Sequence, residues 1–151
     1  DMKEPAVATV ETNPAANEMG LKSSLEADYV STIAENLRTC MEVTKVYLLH
    51  DCNISLVAKK MKIPAHHLAL FFREEVKDSF TNYRNSWRVR HAMDLLREGK
   101  ASGYSIEGIG QLSGFSSRNA FFTAFKKVTG MTPGAYSARV ADNIPDAIKE
   151  S

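Results

Sequence analysis

A chain of 151 residues, with 44% hydrophobic and 25% charged residues, is long enough for one ordinary domain with its own core. It contains no run of roughly 18 or more apolar residues and opens with no signal-peptide pattern, so neither a membrane span nor a secretory leader is expected. Its two cysteines, Cys40 and Cys52, suit a reducing compartment better than a disulfide-linked scaffold, and we expect a cytoplasmic protein.

The net charge of +1 conceals an uneven distribution along the chain. Residues 1–54 carry four Lys and Arg against nine Asp and Glu, residues 55–140 carry fourteen against six, and residues 141–151 carry one against three. A basic segment between acidic flanks indicates a polyanionic partner for the middle of the chain. Charge alone does not distinguish such a partner from a solvated basic surface that binds nothing.

Three segments differ in composition. Residues 1–22 contain prolines and a glycine, no aromatic residue and no apolar period, which predicts a disordered leader or linker. Residues 23–140 have apolar residues at helical spacing and no sustained strand alternation, which predicts a single all-α domain. Residues 141–151 are predicted to be an acidic tail.

The first predicted helix follows a capping-box pattern, Ser23-x-x-Glu26, and its inward residues would be Val30, Ile33, Leu37 and Met41. Asn53 can cap a second, short helix that stops before Pro64, and Pro64 suits the first turn of a third. The inward residues of these two helices would be Ile54, Val57, Ala58 and Met61, and then Leu68, Phe72 and Val76. They form a first unit at about residues 53–77.

A long helix is predicted over about residues 80–98, ending near Gly99. Its apolar stripe would be Phe80, Tyr83, Trp87, Ala92, Leu95 and Leu96. The part from Thr81 to Arg97 would be about 25 Å long at the α-helical rise. We expect this helix to bridge the first unit to a second one.

The second unit is predicted at about residues 105–130. Ser105 caps a short helix with Ile106 and Ile109 inward, and a turn at Gly114–Ser116 follows. Ser116 or Ser117 caps the next helix, whose inward residues would be Phe121, Phe125 and Val128 and whose outward residues would be Arg118, Asn119, Phe122, Thr123 and Lys126. Gly130 and Pro133 end that helix, and a last short helix would run from Pro133 to about Arg139.

The two units are copies of one pattern. Asn53-Ile54 and Val57-Ala58 recur 52 positions later as Ser105-Ile106 and Ile109-Gly110. Beyond the turn the offset becomes 53, and it matches Leu68, Phe72 and Tyr83 with Phe121, Phe125 and Tyr136. A short helix, a tight turn and a second amphipathic helix form the helix-turn-helix motif, whose second helix faces base edges. One such corner occurs in many helical bundles, but two copies in a basic segment indicate DNA binding.

The segment SIEGIGQLSGFSSRNAFFTAFKKVTGMTPGAYSARV resembles the C-terminal signature of the AraC/XylS-type transcription regulators, and the resemblance covers about residues 45–139. It implies about seven helices, with a long helix bridging two helix-turn-helix units. Their second helices would enter successive major-groove segments about 34 Å apart. Gly110 stands where the family usually has Ala, which should loosen its helix by up to ~1 kcal/mol.

The resemblance also implies the positions that face DNA. Those expected to contact bases are Ala65, His66, Ala69 and Leu70 in the first unit and Arg118, Asn119, Phe122 and Thr123 in the second. Arg118 would prefer guanine and Asn119 adenine. Those expected to contact phosphates are Lys59, Lys60, Arg73, Arg84, Arg88, Lys126 and Lys127, of which Arg88 matches an arginine common in the family's bridging helix.

Other functions fit less well. A helical protein–protein adaptor is the main alternative, with a purely structural repeat. An enzyme is not expected, because the chain offers no Ser/His/Asp grouping, phosphate-binding glycine loop or paired carboxylates, and we predict no cofactor. A zinc site is not expected either, because His50, Cys52, His66 and His67 lack the usual ligand spacing.

Regulators that resemble this chain usually carry a sensing or oligomerising region. The start at Asp1, which is not a Met, fits a C-terminal portion of a longer protein, so we expect a sensor or effector domain outside this chain. Some relatives with an entry like MEVTKVYLL attach to membrane-embedded sensors, although this segment itself is not expected to contact a membrane. RNA polymerase is expected as a further partner.

Overall fold

In a computed structural model, residues 25–99 and 102–143 are described. These residues form seven α-helices and no strand, which confirms the all-α prediction: α1 Ala27–Glu42, α2 Ile54–Met61, α3 Ala65–Phe71, α4 Phe80–Arg97, α5 Ile106–Leu112, α6 Arg118–Thr129 and α7 Pro133–Asn143. A 3-10 turn, Val46–Leu48, precedes α2, and a π-helical turn, Phe72–Val76, continues α3. The predicted leader, Ser23 of the capping box and the tail beyond residue 143 lie outside the described residues.

The described residues divide into two compact units, one of residues 25–40 with 54–80 and one of residues 41–53 with 81–99 and 102–143. In the described residues, the first unit contains most of α1, then α2, α3 and the π turn. The second contains the 3-10 turn, α4 from Thr81, and α5 to α7. Each unit therefore holds one of the two predicted helix-turn-helix corners. The last helix continues to Asn143, beyond the predicted end near Arg139.

The first unit buries the faces that helical periodicity predicted. Its fully buried side chains include Ile33, Leu37, Val57, Ala58, Leu68 and Phe72, while Val30, Ile54 and Val76 are half-buried. The neighbours Phe71 and Phe72 are both buried, with ring centroids 6.0 Å apart. At this point the helix widens, because the Lys77 N–H donates to the Phe72 carbonyl, five residues back.

The second unit has an aromatic core. Val89, Ala92, Ile109, Phe115, Phe121, Ala124 and Phe125 are buried together. The Phe121 ring contacts the rings of Phe115, Phe122 and Phe125 at centroid distances of 5.3, 5.7 and 5.7 Å. The prediction that Val128 faces inward is wrong: it is 43% exposed, because it lies in the last turn of α6 and lines an open groove beyond the core.

The predicted repeat is confirmed in the hydrogen bonds of the two turns. In the first unit the Ile63 N–H donates to the Ala58 carbonyl at 3.1 Å. In the second, 52 positions later, the Phe115 N–H donates to the Gly110 carbonyl at 3.0 Å. Each bond closes the end of the short helix and folds the chain back toward the next one. The two corners therefore share a backbone design as well as a sequence pattern.

The turns differ by a single inserted residue. Lys62 and Gly114 occupy equivalent positions and both have positive φ, 63° and 103°. Pro64 then occupies the N-cap position of α3, and Ser117 occupies that of α6, 53 positions later. Ser116 is thus the extra residue, and the insertion explains why the offset between the copies changes from 52 to 53.

Gly110 has a packing role that propensity alone does not predict. It is buried in α5, and a Cβ atom built on it would lie 2.6 Å from Cδ2 of Phe121. In the first copy the equivalent positions hold Ala58 and Leu68, both buried. Ala58 is larger than Gly110, and Leu68 is smaller than Phe121. The glycine therefore makes room for a phenylalanine ring in the second unit.

Two half-buried histidines should make the fold sensitive to acid. Burial lowers the pKa of His67 below its usual 6.5, and His66 lowers it further. Burial also lowers the pKa of His91, with a smaller contribution from Lys45 that Asp94 and Glu98 oppose. Because the unfolded chain then binds more protons, stability is complete above about pH 6.5 and falls as the pH drops through the folded pKa values.

We therefore expect the urea midpoint to decrease between pH 7.5 and pH 5.5, and His67→Gln and His91→Gln each to flatten that decrease. Urea titrations of the three proteins at several pH values test this expectation. A decrease of unchanged size in both variants would assign the acid sensitivity to other groups.

Candidate nucleic-acid interface

The second unit presents α6 as a helix with one buried and one exposed side. The Ser117 Oγ accepts a hydrogen bond from the Ala120 N–H at 3.1 Å, and Gly130 ends the helix with φ 83°. These are the predicted caps, and they satisfy backbone groups that helix ends leave unpaired. Of the predicted outward residues, Phe122 is half-buried, and the exposed ones are Arg118, Asn119, Thr123 and Lys126.

Arg118 is held in place on that exposed side. Its Nε donates to Oε2 of Glu107 at 2.8 Å, and its guanidinium carbon lies 4.1 Å from the centroid of the Phe122 ring. Phe122 in turn packs against the buried Phe121 ring. The hydrogen bond from Arg118 holds the pKa of the Glu107 carboxyl below its usual value, and so does a hydrogen bond that the carboxylate accepts from the backbone N–H of Glu107. The two residues are thus oppositely charged at neutral pH.

Sequence reasoning missed Glu107. It lies in the first turn of α5, eleven residues before Arg118, and no helical spacing pairs residues that far apart. The repeat could not reveal it either, because the equivalent residue in the first unit is Ser55. Only the fold of the corner brings the two side chains together.

The first unit presents a shorter and less polar face. Ala65, His66 and Ala69 are exposed on α3 as predicted, and His67 behind them accepts or donates a 2.9 Å hydrogen bond between its Nδ1 and the Tyr29 hydroxyl. The prediction that Leu70 contacts a base requires correction. Leu70 is only 6% exposed, because its side chain belongs to the core of this unit.

Basic side chains flank both faces. Lys59 and Lys60 are exposed in the last turn of α2, and the side chain of Arg73 is 66% exposed, with its Nε 3.5 Å from Oε2 of Glu74. Lys126 and Lys127 are exposed at the end of α6, where the Lys127 Nζ donates to Oδ1 of Asn82 at 3.2 Å. These positions leave the charges accessible to a polyanion.

Arg88 is not at the surface, which corrects its assignment as a phosphate contact. It is 3% exposed, and its Nε and Nη2 each donate at 2.7 Å, to the carbonyl oxygens of Tyr47 and Leu49. Burial lowers the pKa of Arg88 to about 10, and the nearby charge of Arg84 contributes. Its guanidinium therefore fastens the 3-10 turn to α4 and has no face left for DNA.

Two neighbours complete this arrangement. Arg84 is half-buried and donates from Nη1 to the Cys52 carbonyl at 3.0 Å and from Nε and Nη2 to its neighbour Asn85, so much of its predicted phosphate-binding capacity is used internally. Gly114 lies against the hydrogen bond between the Arg88 Nε and the Tyr47 carbonyl oxygen: a Cβ atom on Gly114 would lie 2.5 Å from that oxygen and 2.7 Å from that nitrogen. The glycine of the second turn is thus required by space as well as by its φ.

The described residues offer neither a metal site nor a membrane-spanning helix. Across residues 25–99 and 102–143, no three His, Cys, Asp or Glu side chains are grouped so that they could hold a metal ion. Within the same ranges, every helix is too short or too polar to cross a membrane.

Comparison with protein families gives a direct match. A family model described as a helix-turn-helix domain matches residues 57–139, more than half of the chain. A putative AraC-like transcription regulator of Streptomyces lividans is 38% identical over 69 residues, which are 46% of this chain and 22% of that protein. The HTH-type transcriptional regulator NimR of Escherichia coli K12 is 32% identical over 74 residues, 49% of this chain and 27% of NimR.

The match to these relatives is partial in length. The HTH-type transcriptional regulator GlxA of Rhizobium meliloti is 29% identical over 126 residues, which are 83% of this chain but 37% of GlxA. The chain thus spans well under half the length of these curated relatives.

Solved structures share the fold. A protein from Listeria innocua, described as of unknown function, has a TM-score of 0.60 at 27% identity, over 71% of this chain and 96% of that one. The C-terminal domain of AraT, a response regulator from Geobacillus stearothermophilus, has a TM-score of 0.58 at 24% identity, over 69% and 84% of the two chains. The solved structures share the fold, and the family match shows that the chain belongs to the helix-turn-helix family of AraC-type transcription regulators and contains a DNA-binding domain of that family.

Proposed function

We propose that this domain recognises DNA by placing α3 and α6 in successive major-groove segments, and that α6 supplies most of the sequence specificity. The observation that carries the proposal is the two-sided build of α6. Its buried rings fix the helix, and its exposed side offers Arg118, Asn119 and Thr123 close to the capped N-terminus. In helix-turn-helix proteins the N-terminal residues of the second helix are the ones that contact base edges.

The two units contribute unequally in this proposal. Arg118 has the donors to pair with the O6 and N7 atoms of guanine, and Asn119 can pair with adenine, each worth about 1–3 kcal/mol of discrimination. On α3, His66 is the main exposed polar group, and Ala65 and Ala69 offer only methyl groups suited to thymine methyl contacts. We therefore assign weaker base discrimination to the first unit.

Phosphate contacts supply affinity in the proposal. The exposed cations suited to this role are Lys59, Lys60, Arg73, Lys126 and Lys127. Log affinity falls linearly with log salt concentration. Each phosphate that a cation neutralises releases a counterion and makes this slope steeper by about 0.9. Binding should therefore weaken steeply between 50 and 200 mM salt. An adaptor that binds only protein would show no salt-dependent binding to duplex DNA. The relatives, which are named as regulators, do not favour that alternative.

The test begins by selecting bound sites from a random duplex pool and sequencing them. We expect two half-motifs one helical turn apart, the stronger one belonging to α6. Arg118→Ala should reduce discrimination at one base position by about tenfold. Lys126→Ala, the matched control on the same helix, should weaken selected and random duplexes alike and reduce the salt slope by about 0.9. Equal losses on both duplexes for both variants would contradict this division of roles.

The remaining parts of the proposal concern the longer protein. The relatives are named as regulators and are much longer than this chain, which supports a separate sensor or effector domain. Contact with RNA polymerase belongs to the same proposal. We assign the domain binding activity and no catalysis, because the relatives it matches are regulators by name. Two free thiols, Cys40 and Cys52, support action in the reducing cytoplasm.

A further inference from the structure

We propose that Glu107 is a positioning residue for base recognition: it orients the Arg118 guanidinium so that the two terminal nitrogens, Nη1 and Nη2, meet the guanine edge. This inference rests on the proposed function, in which Arg118 contacts a base. Glu107 lies on α5, the first helix of the corner, and contributes to recognition only through the side chain that it holds.

Arg118 is fixed in two independent ways while its far end stays open. The Glu107 carboxylate accepts a hydrogen bond from the Nε edge at 2.8 Å, and the Phe122 ring supports the flat face at 4.1 Å. The Arg118 side chain is nevertheless 59% exposed, so the side away from these contacts faces solvent. An arginine that is ordered before binding loses less side-chain entropy when it meets its base.

The donor inventory of the guanidinium decides which edge can meet guanine. Of its five N–H groups, one is on Nε and four are on Nη1 and Nη2. Because Glu107 takes the single Nε hydrogen, the pair of parallel donors that a bidentate contact with guanine O6 and N7 requires must come from Nη1 and Nη2. The contact with Glu107 therefore selects an end-on approach of Arg118.

The same carboxylate opposes binding in general. Glu107 is 48% exposed beside a helix that approaches DNA in the proposed function, and its negative charge repels the phosphates of any sequence. A surface built only for affinity would not place an acid at this position. The presence of Glu107 is explained if it increases the difference in affinity between the target sequence and other sequences while it lowers the affinity for both.

The test separates orientation from charge with two substitutions in the full chain. Glu107→Asp keeps the charge but shortens the side chain by one carbon–carbon bond, about 1.5 Å, so that the carboxylate falls short of Nε. Glu107→Gln keeps the length and removes the charge. Asp142→Asn removes an exposed acid of the same unit and serves as the charge control. Fluorescence anisotropy measures affinity for the selected duplex, for its variant at the Arg118-dependent base, and for random duplex.

We expect Glu107→Asp to reduce discrimination at that base by about fivefold with unchanged affinity for random duplex. Glu107→Gln keeps an acceptor oxygen within reach of Nε, so it should retain most of the discrimination while raising random-duplex affinity by about twofold. Asp142→Asn should leave discrimination intact. In an Arg118→Ala background, Glu107→Asp should have no further effect on discrimination. Full discrimination in Glu107→Asp, or the same loss with and without Arg118, would overturn the inference. If the wild type does not distinguish selected from random duplex, the proposed function itself fails.

Discussion

Replacing Arg88 with methionine is expected to lower the free energy of unfolding by about 3 kcal/mol. The substitution keeps much of the side-chain volume but leaves the Tyr47 and Leu49 carbonyl oxygens without the charged donor that now bonds both at 2.7 Å. A buried acceptor without a partner costs about 1–3 kcal/mol. Trp87, the single tryptophan of the chain, stacks on Tyr47, so its fluorescence during urea unfolding reports on this region.

Arg90→Met is the matched control for Arg88. Arg90 is exposed on the same helix, and its guanidinium lies over the Trp87 ring at 4.3 Å, so we expect a loss below about 1 kcal/mol. The two interpretations of Arg88 also differ in DNA binding. A structural role predicts an unchanged salt slope for Arg88→Met, whereas a phosphate contact predicts a slope smaller by about 0.9. An unchanged urea midpoint together with a reduced salt slope of DNA binding would show that Arg88 contacts a phosphate instead.

Replacing Gly110 with alanine is expected to destabilise the protein by about 1–2 kcal/mol, although helix propensity alone predicts a gain of up to ~1 kcal/mol. The added Cβ would lie 2.6 Å from the Phe121 ring, which is itself 1% exposed and enclosed by other rings. Overpacking of that kind costs about 1–3 kcal/mol. Urea unfolding followed by circular dichroism measures the net effect and its sign.

A second substitution identifies the cause. Gly110→Ala combined with Phe121→Leu recreates the residue types of the first copy. The double variant should therefore lose less unfolding free energy than the two single variants lose together, by about 1 kcal/mol or more. Gly134→Ala is the control, because a Cβ there meets nothing within 4 Å and should stabilise α7 slightly. Additive effects of the two changes would show that the ring is not what excludes alanine.

Periodicity and the internal repeat predicted most of the fold. The buried stripes of α2, α3, α5 and α6 follow from apolar residues at helical spacing, and the caps at Ser105 and Ser117 follow from their position before those stripes. The exposed face of α6 could be predicted for the same reason, since the opposite side of a fixed amphipathic helix must face outward. Local rules succeeded where neighbours in sequence determine the outcome.

Two of the errors, the surface assignment of Arg88 and the omission of Glu107, arise where distant residues determine the outcome. Nothing in the pattern around Arg88 shows that two carbonyl groups about forty positions earlier will receive its donors and draw the charge inside. Similarly, the partner of Arg118 comes from the preceding helix through the geometry of the turn. A basic residue in a basic segment is predicted to lie at the surface, and only the folded structure shows that it is buried.

The matched sizes of Gly110 with Phe121 and of Ala58 with Leu68 constrain how such a protein can be rebuilt. A chimera that transplants a reading helix from one corner to the other, or from a relative, brings a ring or an aliphatic side chain without the residue that accommodates it. Grafts intended to change the target sequence should therefore carry both helices of a corner as one cassette.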